Sequence, residues 1–500
     1  MPHPSNFHDA AELLKAILAG TLPADAQMDR YFRARREMGV RDRGFVAETV
    51  YGCLREMRML EYLTTPGMAA APGHPGPHAA LLRPWRAEVE QRLEHDYREV
   101  GGRATPGAVA ELPSATDKPS LMTGRASKSA NAPSLARGPR LDPIGEASRA
   151  SFSFDLIAAY LVTHGYSGRS LEELGYRGDA RHLAERVRGL DQATVPFAVR
   201  ANLPDWLAER LLAQFGEAEA LALVQALNQP ATLDLRVNTF KAERAEVQAR
   251  LAKEGVAVEP TPYSPIGLRR AERAALFSTQ CFKDGLIEVQ DEGSQLLSYL
   301  LEPKRNEMIV DFCAGAGGKT LHLGSLMANT GTVYAFDVSA RRLEKLTPRL
   351  RRAGLGNVRT VTIRHERDDR VRRLHGKINR VLVDAPCSGV GTLRRNPDIK
   401  WRTLNLPELV DTQKRILAAA AQLVKPGGRL VYATCSLLRE ENEDIVEAFL
   451  ATHADFCVVP AGEILARRHI PLEMPEPALR LLTHRHHTDS FYAVALDRHG

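Results

Sequence analysis

The sequence has no CxxC cysteine pair and no long apolar run. The chain has 500 residues, and its six cysteines lie at positions 53, 281, 313, 387, 435 and 457, a spacing typical neither of a zinc site nor of a disulfide framework. No stretch of about 18 apolar residues occurs that could cross a membrane, and the first residues lack a basic run followed by an apolar core. We therefore predict a cytoplasmic protein that binds neither membrane nor metal.

The chain also lacks a large excess of one charge. It has 67 basic and 61 acidic residues and a formal net charge of +6, which suits a polyanionic partner but is common among ordinary enzymes. No tandem repeat indicates a solenoid. At roughly 100 to 200 residues per domain, the length predicts two to four domains.

The amino-terminal part divides into a helical domain and an insert. Residues 1–63 and 151–200 carry apolar positions at helical spacing, which predicts one helical domain. Residues 64–150 between them are rich in Pro, Gly, Ala and Ser, so we predict a low-complexity insert that is largely disordered. Apolar residues at spacing four predict one helix within it, at residues 81–100.

The remainder predicts two α/β units. We predict that residues 201–303 form a small α/β substrate-binding subdomain, because residues 233–238 alternate like a strand, residues 242–254 have helical spacing and residues 256–259 again resemble a strand. Residues 304–500 repeat the order strand, turn, helix. This order predicts a doubly wound, Rossmann-like sheet. Its short apolar strands are expected at 308–312, 331–336, 358–363, 380–384 and 429–433.

A glycine-rich turn follows the first strand of the predicted sheet. In Cys313-Ala-Gly-Ala-Gly-Gly-Lys319 the glycines let backbone amides approach a ligand, and Lys319 opens the next helix. The turn matches neither GxxxxGK[ST] nor GxGxxG, which argues against a nucleoside triphosphate and a dinucleotide. Asp337, 20 residues after Gly317, ends the next strand, where an acid binds ribose hydroxyls; capping of the following helix is the structural alternative.

Two cysteines follow strands of the same predicted edge. Cys387 lies in Asp384-Ala-Pro-Cys-Ser388 and Cys435 lies in Ala433-Thr-Cys-Ser436. A thiolate that adds to ring carbon 6 of a pyrimidine activates carbon 5 for methylation, and an acid such as Asp384 stabilises charge that develops on the ring. A second thiol can assist the later loss of the carbon 5 proton. The spacing itself does not decide which cysteine attacks.

Three segments resemble the Nop/Sun family of RNA cytosine-5 methyltransferases. They are Asp311-Phe-Cys-Ala-Gly-Ala-Gly-Gly-Lys-Thr320, residues 384–401 from Asp384-Ala-Pro-Cys to Lys400-Trp401, and Pro426-Gly-Gly-Arg-Leu-Val-Tyr-Ala-Thr-Cys-Ser436. The resemblance is specific over residues 200–495. It is fainter over residues 9–63 and 151–195, which are similar to a NusB-like RNA-binding extension.

The resemblance implies S-adenosylmethionine as cofactor and RNA as substrate, with ribosomal RNA favoured over transfer RNA. It places Asp337 on the ribose, Asp384 near the methyl group and target base, Cys435 as the nucleophile and Cys387 in product release. We also expect a monomer. The methionine portion would meet the residues of the glycine-rich turn, namely Cys313, Ala314, Gly315, Ala316, Gly317, Gly318 and Lys319.

The chain departs from the family pattern at two points. Ala316 replaces a proline of the turn. The family's acid that meets the adenine is not evident in residues 363–369, where His365 or Glu366 occupies its place and we assign the contact to His365. Two other functions are open alternatives: a non-catalytic RNA-binding or ribosome-assembly factor, and a DNA cytosine-5 methyltransferase. In DNA enzymes the Pro-Cys cysteine attacks, so the Thr-Cys motif favours RNA.

Basic and histidine-rich segments lie outside these motifs. Arg394 and Arg395 flank the Pro-Cys segment, and we expect them to contact the RNA backbone, with Trp401 in the core. Adjacent His486 and His487 would point apart on a strand, without acidic or thiol partners at ligand spacing. We therefore predict no metal site there.

Overall fold

A computed structural model of the protein describes residues 3–65, 143–191, 193–271 and 274–500. The helix predicted at residues 81–100 and most of the predicted insert lie outside the described residues. None of the described helices is long and apolar enough to cross a membrane. The amino-terminal helices are α1 (Pro4–Ala19), α2 (Ala24–Ala34), α3 (Val40–Thr64), α4 (Pro143–Thr163), α5 (Gly168–Glu173), α6 (Ala180–Arg188), α7 (Phe197–Arg200) and α8 (Asp205–Leu227).

Helices α1, α3 and α4 form the core of the helical domain. Their apolar residues recur at helical spacing, so each helix buries one stripe, and Leu14, Leu54 and Leu156 are fully buried in one shared cluster. Helix α4 begins at Pro143, ahead of the predicted boundary at residue 151. Helix α8 instead packs against the carboxy-terminal part of the chain, where its leucines meet Leu393 and other apolar residues.

The small subdomain is an antiparallel sheet with the strand order β2-β3-β1-β4. Its strand and helix predicted at residues 233–238 and 242–254 are observed as β1 and α9, whereas β2 begins only at Glu259. Val256 and Val258 are buried in the core without joining the ladder, so their alternation reflects burial alone. The elements are β1 (Leu233–Val237), α9 (Arg244–Lys253), β2 (Glu259–Pro260), β3 (Gly267–Arg270), α10 (Gln280–Lys283), β4 (Ile287–Val289) and α11 (Glu292–Leu300).

The carboxy-terminal part contains the predicted doubly wound sheet. Its order is β10-β12-β9-β8-β5-β6-β7, with β11 beside β12; strands β5 to β9 are mutually parallel where they pair, and β12 is antiparallel to β9. The elements are β5 (Met308–Asp311), α12 (Gly318–Leu326), β6 (Thr332–Asp337), α13 (Ala340–Ala353), β7 (Val358–Thr362), α14 (Asp369–Arg372), β8 (Ile378–Asp384), α15 (Leu406–Ala421), β9 (Val424–Thr434), α16 (Glu443–Leu450), β10 (Phe456–Val459), α17 (Ala461–Arg467), β11 (Leu479–Leu481), α18 (Thr483–His486) and β12 (Phe491–Arg498).

Both faces of this sheet are buried, which explains the continuous apolar runs of its strands. Ile309 and Leu382 belong to the cluster on one face, and Val310 and Val381 belong to the cluster on the other. From β5 the chain continues to β6 and β7 on one side and later returns to β8 and β9 on the other. The carboxyl ends of β5 and β8 therefore flank the topological switch point, where such sheets bind ligands.

Candidate active site

A cavity of about 630 Å³ lies beyond the carboxyl ends of β5, β6 and β8. Its size is within the range of roughly 300–1,000 Å³ that is common for small-molecule sites. Gly317 does not line the cavity, but the other predicted site residues do. They are Cys313, Ala314, Gly315, Ala316, Gly318, Lys319, Asp337, His365, Asp384, Cys387 and Cys435.

The glycines of the turn serve different purposes. Gly315 has φ +57° and faces open space, so its backbone is accessible to a ligand at the cavity wall. Gly317 has φ +84°, and a Cβ there would come within 2.2 Å of Leu346 Cδ1, so this glycine permits close packing on α13. Gly318 begins α12, whose amino-terminal end, with its unpaired N–H groups, faces the cavity.

Arginines outside the turn hold its carbonyl groups. Arg236 on β1 donates to Gly318 O at 2.7 Å, and Arg349 on α13 donates to Ala316 O at 2.5 Å. Arg349 also pairs with Glu288 at 3.0 Å. The small subdomain thus contributes directly to the shape of the cavity, through contacts of Arg236 and Glu288 that the sequence did not indicate.

Asp337 lies at the cavity with its carboxylate oriented by the backbone. It accepts hydrogen bonds from Gly315 N at 2.8 Å and Ser339 N at 2.7 Å, and Arg342 lies 3.3 Å away. Helix α13 is capped by Ser339, whose hydroxyl accepts from Arg342 N. Because each carboxylate oxygen has two lone pairs, Asp337 retains acceptor capacity toward a ligand.

Asp311 is buried beneath the cavity. Thr320 donates to its Oδ2 at 2.6 Å, while Oδ1 has no hydrogen-bond partner among the described residues. Burial raises the pKa of Asp311 to about 7, and the negative charges of Asp384 and Asp337 act in the same direction. A positively charged ligand in the cavity would favour the ionised form.

Lys319 and Asp384 form an ion pair in the cavity wall. Nζ of Lys319 lies 2.7 Å from Oδ2 of Asp384. Burial lowers the pKa of Lys319, but the adjacent Asp384 carboxylate outweighs it, so the pKa is raised overall. The lysine therefore stays charged and fixes the direction of the Asp384 carboxylate, which is 31% exposed toward the cavity.

The two cysteine sulfurs are neighbours. Sγ of Cys387 lies 3.4 Å from Sγ of Cys435, although β8 and β9 deliver them from segments 48 residues apart. The hydrogen bond to Cys435 and then burial raise the pKa of the Cys387 thiol well above its usual value. Cys387 thus keeps its proton at neutral pH.

Other residues of the cavity lie at its rim, on α15 and around the start of α11. His365 is exposed at its rim, where Nδ1 accepts a hydrogen bond from Arg367 N at 3.1 Å, and neighbouring Glu366 pairs with Arg415 at 3.4 Å. Gln290, Ser294, Thr412 and Ile416 also line the cavity. They come from α15 and the start of α11, whose placement depends on the complete fold.

The expectation for Arg394 and Arg395 is wrong. Arg394 is only 5% exposed and binds Asp291 Oδ2 at 2.7 Å as well as Asp489. Arg395 binds the same two carboxylates, at 2.9 and 2.7 Å. Asp291 caps α11 and Asp489 precedes β12, so these arginines connect the small subdomain to the sheet instead of facing the RNA backbone.

The segment that follows Arg395 enters the helical domain. Lys400 is 1% exposed, and its Nζ donates to Arg55 O at 2.8 Å, Asn202 O at 3.0 Å and Asn228 Oδ1 at 2.9 Å. Trp401 packs against the helical core, as predicted, and donates to Leu54 O at 2.8 Å. The polypeptide that carries Cys387 is therefore anchored in a second domain.

The histidine segment forms a helical turn, not the predicted strand. Helix α18 ends at His486, and His484 lies 3.4 Å from Glu219 on α8. Within the described ranges, no three His, Cys, Asp or Glu side chains cluster as metal ligands would. His484 and His486 are half-buried, whereas His487 is exposed.

The fold and the cavity define a Rossmann-like methyltransferase. Two family profiles match the chain: 16S rRNA methyltransferase RsmB/F at residues 298–497, and the ferredoxin-like domain of RsmF/B-like methyltransferases at residues 203–275. The chain belongs to the RsmB/F family of methyltransferases. The resemblance to the Nop/Sun family seen in the sequence is thereby confirmed.

Individual proteins agree with this assignment. A protein described as probable ribosomal RNA small subunit methyltransferase B from Synechocystis sp. is 36% identical over 312 residues, which are 62% of this chain and 70% of the relative. Its counterpart from Bacillus subtilis is 30% identical over 343 residues, covering 65% of this chain and 75% of the relative. A solved methyltransferase homolog from Pyrococcus horikoshii superposes with a TM-score of 0.54 at 29% identity, covering 62% of this chain and 100% of that one.

Proposed function

We propose that the protein transfers a methyl group from S-adenosylmethionine to carbon 5 of a cytosine in RNA, through a covalent adduct with Cys435. The single observation that carries this proposal is the pair of thiols 3.4 Å apart in a cavity that also holds Asp384 and the glycine-rich turn. Two thiols on one face of one cavity suit a reaction in which one adds to the ring and the other assists release.

The cavity fits S-adenosylmethionine, which when bound supplies an electrophilic methyl group on a positively charged sulfur. Asp337 would bind the ribose hydroxyls, and the backbone at Gly315 and Gly318 would meet the methionine portion. His365, at the rim, would contact the adenine. The carboxyl groups of Asp311 and Asp384 suit the positive charge of this cofactor.

The side chains of the chain then have separate roles in the reaction. The Cys435 thiolate forms a bond to carbon 6 of cytosine, and the displaced electron pair moves into the ring. A ring nitrogen takes up a proton from water, and the Asp384 carboxylate stabilises this form by accepting a hydrogen bond from the new N–H. Carbon 5 takes the methyl group, and its proton and the proton on the ring nitrogen then pass to water as the ring double bond re-forms. The bond from carbon 6 to Cys435 breaks, and its electron pair returns to the sulfur. The protonated Cys387 thiol, 3.4 Å from this sulfur, assists the release by donating a hydrogen bond to it.

The order of the two thiols agrees with their surroundings. The raised pKa of Cys387 keeps this sulfur protonated and thus a poor nucleophile at neutral pH, which leaves Cys435 for the attack. Lys319, 2.7 Å from Asp384, adds a fixed positive charge to the same wall of the cavity. This charge favours the negative charge that builds up on the ring.

Ribosomal RNA of the small subunit is the substrate that we propose. The support is the family profile and the descriptions of the Synechocystis and Bacillus relatives, each of which names this RNA. A transfer RNA substrate, a duplex DNA substrate and a non-catalytic assembly role remain as outcomes of the test.

The experiment compares three single variants with radiolabelled methyl donor and protein-free small-subunit RNA. Cys435→Ala should abolish methyl incorporation, whereas Cys387→Ala should accumulate an RNA adduct that survives denaturing electrophoresis. Cys457→Ala, on β10 outside the cavity, is the matched control and should behave as the wild type. An adduct in Cys435→Ala but not in Cys387→Ala would reverse the assignment, and label in duplex DNA alone would replace the substrate. A wild-type protein that methylates neither nucleic acid would refute the proposed activity.

A further inference from the structure

Glu441 is a fully buried acid that lies between the two cysteine loops. It ends the short helical turn Arg439–Glu441 that follows Cys435. Its carboxylate accepts hydrogen bonds from Ser388 N at 2.8 Å and from the hydroxyls of Ser388 and Ser436. Because each serine directly follows a cysteine, one carboxylate binds both loops.

The surrounding side chains hold Glu441 in place. Gln413 on α15 donates to Glu441 Oε1 at 2.9 Å and to Pro386 O, just before Cys387, also at 2.9 Å. The hydroxyl of Tyr432 on β9 donates to Glu441 O at 2.7 Å. Glu441 is therefore attached to the sheet and to α15, and the cysteine loops are attached to Glu441.

The hydrogen bonds to the Glu441 carboxylate come from neutral donors among the described residues. A buried carboxylate is costly unless its lone pairs are satisfied, and here they accept from one backbone amide, two hydroxyls and one side-chain amide. Its negative charge also acts on Cys387: after the hydrogen bond to Cys435 and burial, it further raises the pKa of that thiol. The arrangement favours the protonated form of Cys387.

We propose that Glu441 is a positioning residue that sets the separation of the two thiols by holding both cysteine loops. The proposal rests on the proposed function, because only there do two thiols act on one base. The loops are also joined by Gly391 N donating to Cys435 O at 2.9 Å, so they stay paired when Glu441 or the serines are changed. Loss of the carboxylate contacts loosens the loops without separating the strands.

The first test does not depend on methyl transfer. Diamide takes two electrons and two protons from a pair of thiols and leaves a disulfide, at a rate that depends on how often the sulfurs meet. The double variant Ser388→Ala with Ser436→Ala keeps the Glu441 charge but removes both hydroxyl donors. The disulfide between Cys387 and Cys435, quantified by peptide mass spectrometry, should form about tenfold more slowly, because hydrogen bonds to a charged acceptor are lost. Ser167→Ala with Ser170→Ala, an exposed serine pair of the helical domain, is the control and should not change the rate.

The second test measures turnover. Glu441→Gln keeps the shape of the side chain but removes its charge, and kcat should fall about 100-fold, as expected for reacting groups displaced by about 1 Å, while KM for RNA stays within about twofold. The covalent RNA adduct should persist, as in Cys387→Ala. Glu440→Gln, which changes the neighbouring acid that pairs with Arg210 at the surface, should behave as the wild type.

The results separate the two proposals. The positioning role would be overturned if the double serine variant formed the disulfide with diamide at the wild-type rate. It would also be overturned if folded Glu441→Gln kept the wild-type kcat and accumulated no adduct. The methylation activity would stand in both cases. If Glu441→Gln does not fold, the double serine variant is put through the same turnover assay and decides the matter. If the wild-type protein methylates no RNA, the proposed activity fails, and the diamide rates still show whether Glu441 sets the distance.

Discussion

Nζ of Lys319 lies 2.7 Å from Oδ2 of Asp384, which joins the start of α12 to the end of β8 across the cavity. Asp384→Asn removes the charge that holds this lysine and weakens the hydrogen bond that the carboxylate accepts from the ring nitrogen of the base. We expect kcat to fall about 100- to 1,000-fold, the range for loss of one group that stabilises developing charge. Steady-state methyl incorporation measures this, with Asp411→Asn on the exposed face of α15 as control. A fall in RNA affinity with unchanged kcat would contradict the role of Asp384.

Asp337 should contribute to cofactor affinity without affecting RNA. Asp337→Ala removes the acceptor at the end of β6, and calorimetry with S-adenosylhomocysteine should show affinity weaker by about tenfold to 100-fold, as for lost hydrogen bonds to a charged group. Asp369→Ala changes an exposed acid of α14 and is the matched control. Unchanged affinity in Asp337→Ala would show that the carboxylate serves the backbone of the turn alone.

Asp311 makes stability depend on pH. Its pKa is about 7 in the folded protein, against an ordinary value of 3.8, so between these values the folded state holds a proton that the unfolded state releases. Stability from this group is present at low pH and is lost as the pH rises toward 7. Asp311→Asn mimics the protonated form, so it should match the wild type near pH 4 and exceed its free energy of unfolding by on the order of 4 kcal/mol at pH 8. Urea unfolding at both pH values measures this.

The controls for Asp311 separate its titration from that of other groups. Asp369→Asn, at an exposed position, should show no such gain at pH 8. If the free energies of unfolding of the wild type and Asp311→Asn differ by the same amount at both pH values, ionisation of Asp311 is excluded as the cause.

Arg394 tests the difference between a structural and an RNA-binding arginine. Arg394→Met leaves Asp291 and Asp489 buried with fewer partners, so the free energy of unfolding should fall by about 3–5 kcal/mol. The dependence of RNA affinity on salt should stay unchanged, because no phosphate contact is lost. Arg372→Met, on the exposed side of α14, should change stability by less than about 0.5 kcal/mol. If Arg394→Met keeps wild-type stability and its RNA affinity depends less on salt, Arg394 would instead be a phosphate ligand.

The ends of the central strands can be predicted from the sequence because both faces of the sheet are buried. Apolar runs locate β5, β6 and β8, and the acids that end them, Asp311, Asp337 and Asp384, must then meet at one edge. The approach of Cys387 and Cys435 follows from the same rule, since β8 and β9 are neighbours. Local pattern and parallel topology therefore account for most of the cavity.

Contacts between distant segments could not be predicted from the sequence. Arg394 resembles a phosphate ligand until its partners, more than 90 residues away in either direction, are known. Glu441 lies in an acidic run typical of a solvated helix start, and only the packing of α15 and both cysteine loops shows that it is buried. Such pairings depend on tertiary structure, which periodicity and motif spacing do not report.

The anchoring of Lys400 makes the helical domain and the methyltransferase sheet one cooperative unit. Its side-chain nitrogen donates to acceptors on α3 and beside α8, and burial lowers its pKa to about 7. Unfolding of the helices would therefore remove all three hydrogen bonds of a buried group in the segment that begins at Cys387. The amino-terminal helices and the sheet that forms the cavity should therefore unfold at a single transition temperature.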